Sequence, residues 1–188
     1  MQFISETNQA TYEPSLSRKV KELSGTALDR CYQCFTCSLS CPVAFAMDYF
    51  PNQIIRMVQL GLKDEVLKSS TIWLCATCET CVARCPNEVD VLRVMDTLRE
   101  MSLQEKVEGK ETIIPIFHNT FLGSIKLWGR SHELSMELTL KMRTRDLFTD
   151  LIMGVKMILK GKLKILPARI KGLKEVKAIF EKTKGARS

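Results

Sequence analysis

The sequence has little that would place this chain in a membrane, outside the cell or on a nucleotide. Its longest uncharged stretches, such as Ile113 to Ile125, are interrupted by Pro115, His118 and Asn119. They fall short of the ~18–20 apolar residues that a membrane span requires. Met1-Gln2-Phe3-Ile4-Ser5-Glu6-Thr7-Asn8 has neither the basic start nor the apolar core of an export signal, so a cytoplasmic setting is expected. No G-x-G-x-x-G glycine pattern occurs, which argues against a dinucleotide site. Only two histidines are present, His118 and His132. Neither has a second ligand motif nearby, so both are expected to be hydrogen-bonded or surface side chains rather than metal ligands. With 45% apolar and 26% charged residues in 188, disorder is excluded as the main state, and one domain plus a helical extension is within reach.

Charge of one sign is scarce in places too. Residues 1–110 carry 12 basic and 14 acidic side chains, whereas 111–188 carry 16 basic and 7 acidic. The formal charge of +7 therefore belongs to the tail, and nearly all of the excess follows Gly154. A joint near residue 110, in the charged stretch Glu105–Lys110, divides the chain into 1–110 and 111–188.

Runs of alternating β-branched residues are missing as well, and helical spacing replaces them. A short helix is expected over Tyr12–Leu23, with Pro14 near its start, Leu16, Val20 and Leu23 on one face and Gly25 after its end. Pro51–Gly61 reads as a helix opened by proline and closed by glycine, and Lys63–Lys68 as a further turn. Val89–Gln104 is amphipathic, with Val91, Met95, Leu98 and Met101 three to four residues apart. Beyond the joint, helices are expected over Pro115–Gly129, Glu133–Met142, Asp146–Lys160 and Pro167–Lys182. The fold class is all-α.

Cysteine is the residue type present in excess. All eight fall in two runs of identical spacing, Cys31-x2-Cys34-x2-Cys37-x3-Cys41-Pro42 and Cys75-x2-Cys78-x2-Cys81-x3-Cys85-Pro86, offset by 44 residues. In a reducing compartment such cysteines are metal ligands rather than disulfides. A C-x2-C-x2-C loop brings three thiolates to three irons of a [4Fe-4S] cubane, while the fourth comes from elsewhere. Structural zinc would use four cysteines at a time, but leaves the second C-x2-C step and the C-x3-C-P unexplained. Two [4Fe-4S] clusters account for all eight and leave none as a nucleophile, so no catalytic residue is assigned. The chain reads as an electron relay. Tyr32, Phe35 and Trp73 beside the runs are expected to pack around the loops, and Arg30 and Arg84 to be solvated. Methionines between Met136 and Met157 are expected to fill packing gaps.

Both cysteine runs, the spacer segment Pro51-Asn52-Gln53-Ile54-Ile55-Arg56 and the entry Trp73-Leu74-Cys75 resemble the C-type subunit of heterodisulfide reductase and its bacterial homologues. Lys160-Gly161-Lys162-Leu163 with Pro167 adds to the resemblance. It implies an α-helical ferredoxin-like two-cluster domain over 1–110 with a C-terminal helical extension over 111–188. In chains of this kind the cysteine before proline ligates the other cluster. That gives Cys31, Cys34, Cys37 and Cys85 to cluster 1, and Cys75, Cys78, Cys81 and Cys41 to cluster 2. The resemblance further implies a hetero-oligomer, with a dimer of heterotrimers as one arrangement. An A-type subunit holding FAD and iron–sulfur clusters supplies electrons, and a B-type subunit with CCG motifs reduces the disulfide. No Cys-Cys-Gly occurs here, so the chain resembles the relay.

From Gly154 onward eleven Lys or Arg and two acids are interleaved with aliphatic residues such as Val155, Ile158, Leu163, Ile170 and Ile179. Docking on an acidic surface of a partner subunit is the expected use. Contact with anionic lipid is at most peripheral, and nucleic acid is not expected, because no binding module accompanies the charge. Two other readings stand beside the heterodisulfide reductase-like relay: an iron–sulfur subunit of a membrane quinone-linked dehydrogenase, and a zinc-stabilised interaction protein.

Overall fold

Helices form here where aliphatic side chains recur every three or four residues, and they stop where glycine or a cysteine loop intervenes. A computed structural model describes residues 12–144, 151–161 and 170–184, and these divide into two compact units, 1–112 and 113–188. Among the described residues the only β pairing is an isolated antiparallel bridge, Tyr12 with Leu62. The fold is all-α, as expected.

The first unit contains α1 (Leu16–Ser24), α2 (Thr36–Leu39), α3 (Pro51–Gln59), α4 (Lys63–Lys68), α5 (Thr71–Leu74), α6 (Thr80–Ala83) and α7 (Val91–Gln104). Tight turns at Leu28–Arg30 and Ala44–Ala46 join them. The long α7 packs against α1, α3, α4, α5 and α6. Its Val91, Val94, Met95, Leu98 and Met101 meet Leu16 and Val20 of α1, Ile54, Ile55 and Val58 of α3, and Val66 and Leu67 of α4 in one core, all of them buried. Burying side chains of this kind contributes about 1.5–3 kcal/mol each.

The helix ends follow from local chemistry. Asp90 caps α7, its carboxylate accepting from Arg93 N–H at 2.9 Å. Pro51 opens α3, and the Gln53 side chain accepts from Phe50 N–H at 2.8 Å. Gly25, at φ +68°, ends α1 with its N–H on Lys21 O. Helix α1 begins at Leu16 rather than Tyr12, because Tyr12 pairs with Leu62 and Pro14 lies in the turn ahead of the helix. Leu23 is not on the buried face either; it is 61% exposed, while Ser24 is buried. Lys63 at the start of α4 reaches Glu13 and Glu105, each at 2.9 Å, tying the segment before α1 to the end of α7. Its pKa is raised by those two carboxylates.

The second unit contains α8 (Ile113–Trp128), α9 (Glu133–Thr144), α10 (Leu151–Leu159) and α11 (Leu173–Lys184), and α8 packs against both α9 and α11. The expected helix starts at Asp146 and Pro167, and the segment Lys162–Leu163, lie outside the described residues. Among those described, no helix is long and apolar enough to cross a membrane.

Gly61 has φ +74°, and a Cβ there would come 2.6 Å from the Glu13 carbonyl oxygen, while its own carbonyl accepts from Glu13 N–H at 2.9 Å. Both the left-handed conformation and the backbone approach require glycine. Gly61→Ala is expected to destabilise the holoprotein by about 2–3 kcal/mol, read as a lower denaturant midpoint; an unchanged midpoint would contradict the close approach.

Candidate metal centre

The 44-residue repeat of the cysteines extends to the backbone. Gln33 and Phe35 in the first loop have φ of 63° and 69°, and their counterparts Thr77 and Glu79 have φ of 51° and 59°. Four non-glycine residues are thus left-handed, an arrangement that costs about 1–3 kcal/mol per residue. Alternating hands along a loop turns successive N–H groups toward one side, forming a concave surface for negative charge. The short helices α2 and α6 follow at the same offset.

The two loops face each other through α2 and α6. Cys31, Cys34, Cys37 and Cys85 line one cavity. Cys41, Cys75, Cys78 and Cys81 line a second. Val91, the buried first residue of α7, is on the wall of both. Each cavity therefore holds three thiols of one run and the pre-proline thiol of the other. Among the described residues, no three His, Cys, Asp or Glu side chains converge tightly enough to grip one metal ion. The thiols ring a space instead, as a multi-atom cluster needs.

Ionisation of these thiols follows their surroundings. The Thr36 hydroxyl and N–H, and after them the Tyr32 hydroxyl, hold Cys34 below the usual thiol range. Thr80 does the same for Cys78. Sγ–Oγ1 separations are 3.3 Å and 3.5 Å. Burial pushes Cys37 up, and burial followed by the Cys75 and Cys37 thiolates pushes Cys81 up to about 11. Cys81 thus senses the charge of Cys37, from the opposite run. Such thiols gain most from a cationic iron core, which the donor set of four thiolates per cavity suits.

Side chains that the sequence reading passed over hold the loops in place. Asp48, just beyond the first run, accepts from Ser69 Oγ at 2.7 Å, from Ser70 N–H and Thr71 N–H at 3.1 Å, and from Lys110 Nζ at 2.9 Å. It caps α5 across 22 residues of chain, and α5 delivers Cys75. Burial opposes its ionisation, but Lys110, Ser69, Ser70 and Thr71 outweigh it and hold the carboxyl far below the usual range. The run Ser69-Ser70-Thr71 was the one signal in the sequence for a helix start. At the other end of α5, Arg99 of α7 donates to Ile72 O and to Cys75 O, the latter at 2.6 Å, and pairs with Asp96 at 3.0 Å. Nothing in its spacing separates Arg99 from the solvated residues of an amphipathic helix.

Of the other residues considered, Trp73 is buried and Phe35 packs edge-on against Phe50 at 5.7 Å, whereas Tyr32 is 62% exposed. Arg30 and Arg84 are exposed. His132 accepts from Ser135 N–H at 3.2 Å at the start of α9.

Residues 27–89 match the family described as the 4Fe-4S dicluster domain. That match, the all-α fold and the cysteine spacing together support two [4Fe-4S] clusters in this part of the chain. Over 87 residues the chain is 40% identical to the C-type subunit of the H(2):CoB-CoM heterodisulfide,ferredoxin reductase of Methanothermobacter marburgensis, covering 46% of this chain and 47% of that one. It is also 40% identical over 84 residues to the C-type iron-sulfur subunit of the CoB-CoM heterodisulfide reductase of Methanopyrus kandleri, covering 45% and 44%. A protein of Archaeoglobus profundus, itself described as like the heterodisulfide reductase C-type subunit, is 30% identical over 114 residues, 60% of this chain and 61% of that one. The match spans about half the length of these curated relatives, and it bears out the resemblance to the C-type subunit of heterodisulfide reductase.

Asp48→Asn is expected to destabilise the protein by about 2–3 kcal/mol at neutral pH, since it removes a charged acceptor of several hydrogen bonds. A carboxyl whose folded pKa is depressed stabilises the fold fully above its unfolded pKa of ~4 and loses that contribution as pH falls through the folded value. The stability gap between wild type and variant should therefore be widest near neutrality and narrow below about pH 4, as denaturant titrations across that range would show.

Proposed function

We propose that the chain is the electron-relay subunit of a heterodisulfide reductase-like complex. It takes single electrons from an A-type subunit containing flavin and iron–sulfur clusters and hands them to a B-type subunit with CCG motifs that reduces a disulfide. The observation that carries this reading is the pair of four-thiol cavities that share Val91 as a wall and bring Cys37 and Cys81 within electrostatic reach. Adjacent sites of this kind suit passage of an electron from one to the next.

On this reading, cluster 1 is held by Cys31, Cys34, Cys37 and Cys85, and cluster 2 by Cys75, Cys78, Cys81 and Cys41. When bound, each [4Fe-4S] cluster supplies one-electron redox chemistry. The chain's own residues orient the thiolates, with Thr36 and Thr80 favouring the anionic form of Cys34 and Cys78. Every cysteine is then a ligand, and no substrate-converting group remains among them.

Relay also requires docking edges. Tyr32 and Leu39 within the first run and Phe45 just after it are 62%, 81% and 89% exposed, an apolar margin around the first run. In the second unit Ile113, Leu127, Leu138, Met142 and Leu159 are exposed, and the buried residues identified among those described are Thr120 and Ser124. Apolar faces on a strongly basic segment support its use as a docking extension against an acidic partner subunit.

The test is anaerobic isolation with iron, sulfide and zinc analysis and EPR of the dithionite-reduced protein. About eight irons per chain and two interacting reduced clusters are expected; two zincs and no EPR signal would overturn the relay. Cys34→Ala and Cys85→Ala should disturb one EPR component, and Cys78→Ala and Cys41→Ala the other. Cys34→Ala grouping with Cys41→Ala would overturn the crossed ligand sets.

A further inference from the structure

The two cysteine loops share their backbone but differ in what they aim at the sulfurs. In the first, Gln33 Nε2 donates to Cys31 Sγ at 3.4 Å, within the reach of a hydrogen bond to sulfur. The direction of that amide follows from its partners. Ser38 Oγ donates to Asn52 Oδ1 at 2.6 Å, which leaves Asn52 Nδ2 as the donor of that side chain. Asn52 Nδ2 donates to Gln33 Oε1 at 2.9 Å. With its oxygen occupied as an acceptor, Gln33 presents its NH2 to the sulfur. Ser38 and Asn52 are buried, so the chain of bonds is anchored in the core at the start of α3. The amide group is also held close by its backbone, because Gln33 is one of the left-handed residues.

The second loop has no equivalent. Its counterpart of Gln33 is Thr77, whose hydroxyl donates to the Ala76 carbonyl at 2.8 Å. Tyr32, which lies by Cys34, has Ala76 as its counterpart. Cys85 receives a further donor, Val89 N–H at 3.2 Å; among the described residues no donor reaches Cys75 Sγ or Cys41 Sγ. Arg99 approaches the second site, but it bonds to the Cys75 carbonyl rather than to sulfur and is paired with Asp96.

We propose that Gln33, oriented by Asn52 and Ser38, is a positioning residue that raises the reduction potential of the cluster held by Cys31, Cys34, Cys37 and Cys85. The proposal rests on the crossed ligand sets above. Reduction adds one electron to the cluster and makes its thiolate ligands more negative. A donor on a ligand sulfur stabilises the reduced form more than the oxidised one, and the potential rises. No bond forms or breaks. The electron comes from a one-electron donor cofactor of a partner protein and leaves to another, and Gln33 keeps both amide protons throughout. The device biases electrons toward cluster 1.

The experiment is an EPR-monitored redox titration of the two-cluster holoprotein, wild type against Gln33→Met, with iron counted in each sample. Gln33→Met keeps the length of the side chain and removes the donor. One midpoint potential, that of the component disturbed by Cys34→Ala, is expected to fall by up to a tenfold change in the one-electron equilibrium, about 59 mV, while the other stays in place. Should Gln33→Met fail to retain its irons, Gln33→Glu takes its place. Its carboxylate still accepts from Asn52 but turns an acceptor on the sulfur, and the same potential is expected to fall further. Full iron content with both potentials unmoved overturns the role of Gln33 and leaves the ligand sets intact. A fall in the other component, the one disturbed by Cys78→Ala, overturns the ligand sets themselves.

Discussion

Four left-handed, non-glycine residues, two in each cysteine loop, set the terms for the rest of the first unit. Gln33, Phe35, Thr77 and Glu79 are in a conformation that glycine adopts freely and they do not. Strain of about 1–3 kcal/mol at each persists only if the loop ends are fixed from outside, since a free loop would relax and scatter its thiols. The helices provide that fixing. Helix α7 packs on five others, and its first residue, Val91, forms part of both cavity walls. The core it builds is buried and mostly aliphatic, so the loops are clamped by helices from outside the cysteine runs.

Polar side chains then finish what packing cannot. A four-residue helix such as α5 is far below the length at which helices persist alone, yet it has to present Cys75 at a defined angle. Asp48 holds its first N–H groups and Arg99 its last carbonyls. One comes from the far side of the first cysteine run and the other from α7. Consequently the position of Cys75 depends on side chains far from it in sequence. The Lys63 bridge to Glu13 and Glu105 closes the same framework from the other end.

Much of this was legible in the residues and part was not. The ranges of α3, α4 and α7 follow from Pro51, Gly61 and the three-to-four spacing of Val91, Met95, Leu98 and Met101, because local signals decide them. The all-α class follows from the missing alternation. The cysteine spacing told of two clusters, since spacing is a direct record of what a loop can reach. By contrast, Asp48, Asn52 and Arg99 act over 14 or more residues of chain on partners that only tertiary closure brings near. Leu23 misled for the opposite reason: its spacing fits the apolar face of α1, but the chain turns at Gly25 and no neighbour covers it. In the tail, composition announced a basic apolar segment, and the exposed aliphatic side chains of the second unit carry the same message.

An internal repeat makes its own control. Where both copies agree, as at Thr36 and Thr80 or in the left-handed pairs 33/77 and 35/79, the feature answers a need common to both sites, which is to hold three thiolates around a core. Where the copies part, the feature serves one site alone. The amide of Gln33 faces a sulfur while the hydroxyl of Thr77 faces its own loop. Leu39 is widely exposed where the second copy has Ala83, and Phe35 meets Phe50 where the second copy has Glu79. All these departures gather on the first loop. Two equivalent clusters would let an electron rest on either with equal ease; a difference between them gives it a direction. On the proposed reading, that difference is a means by which sequence can shape how electrons pass through the chain.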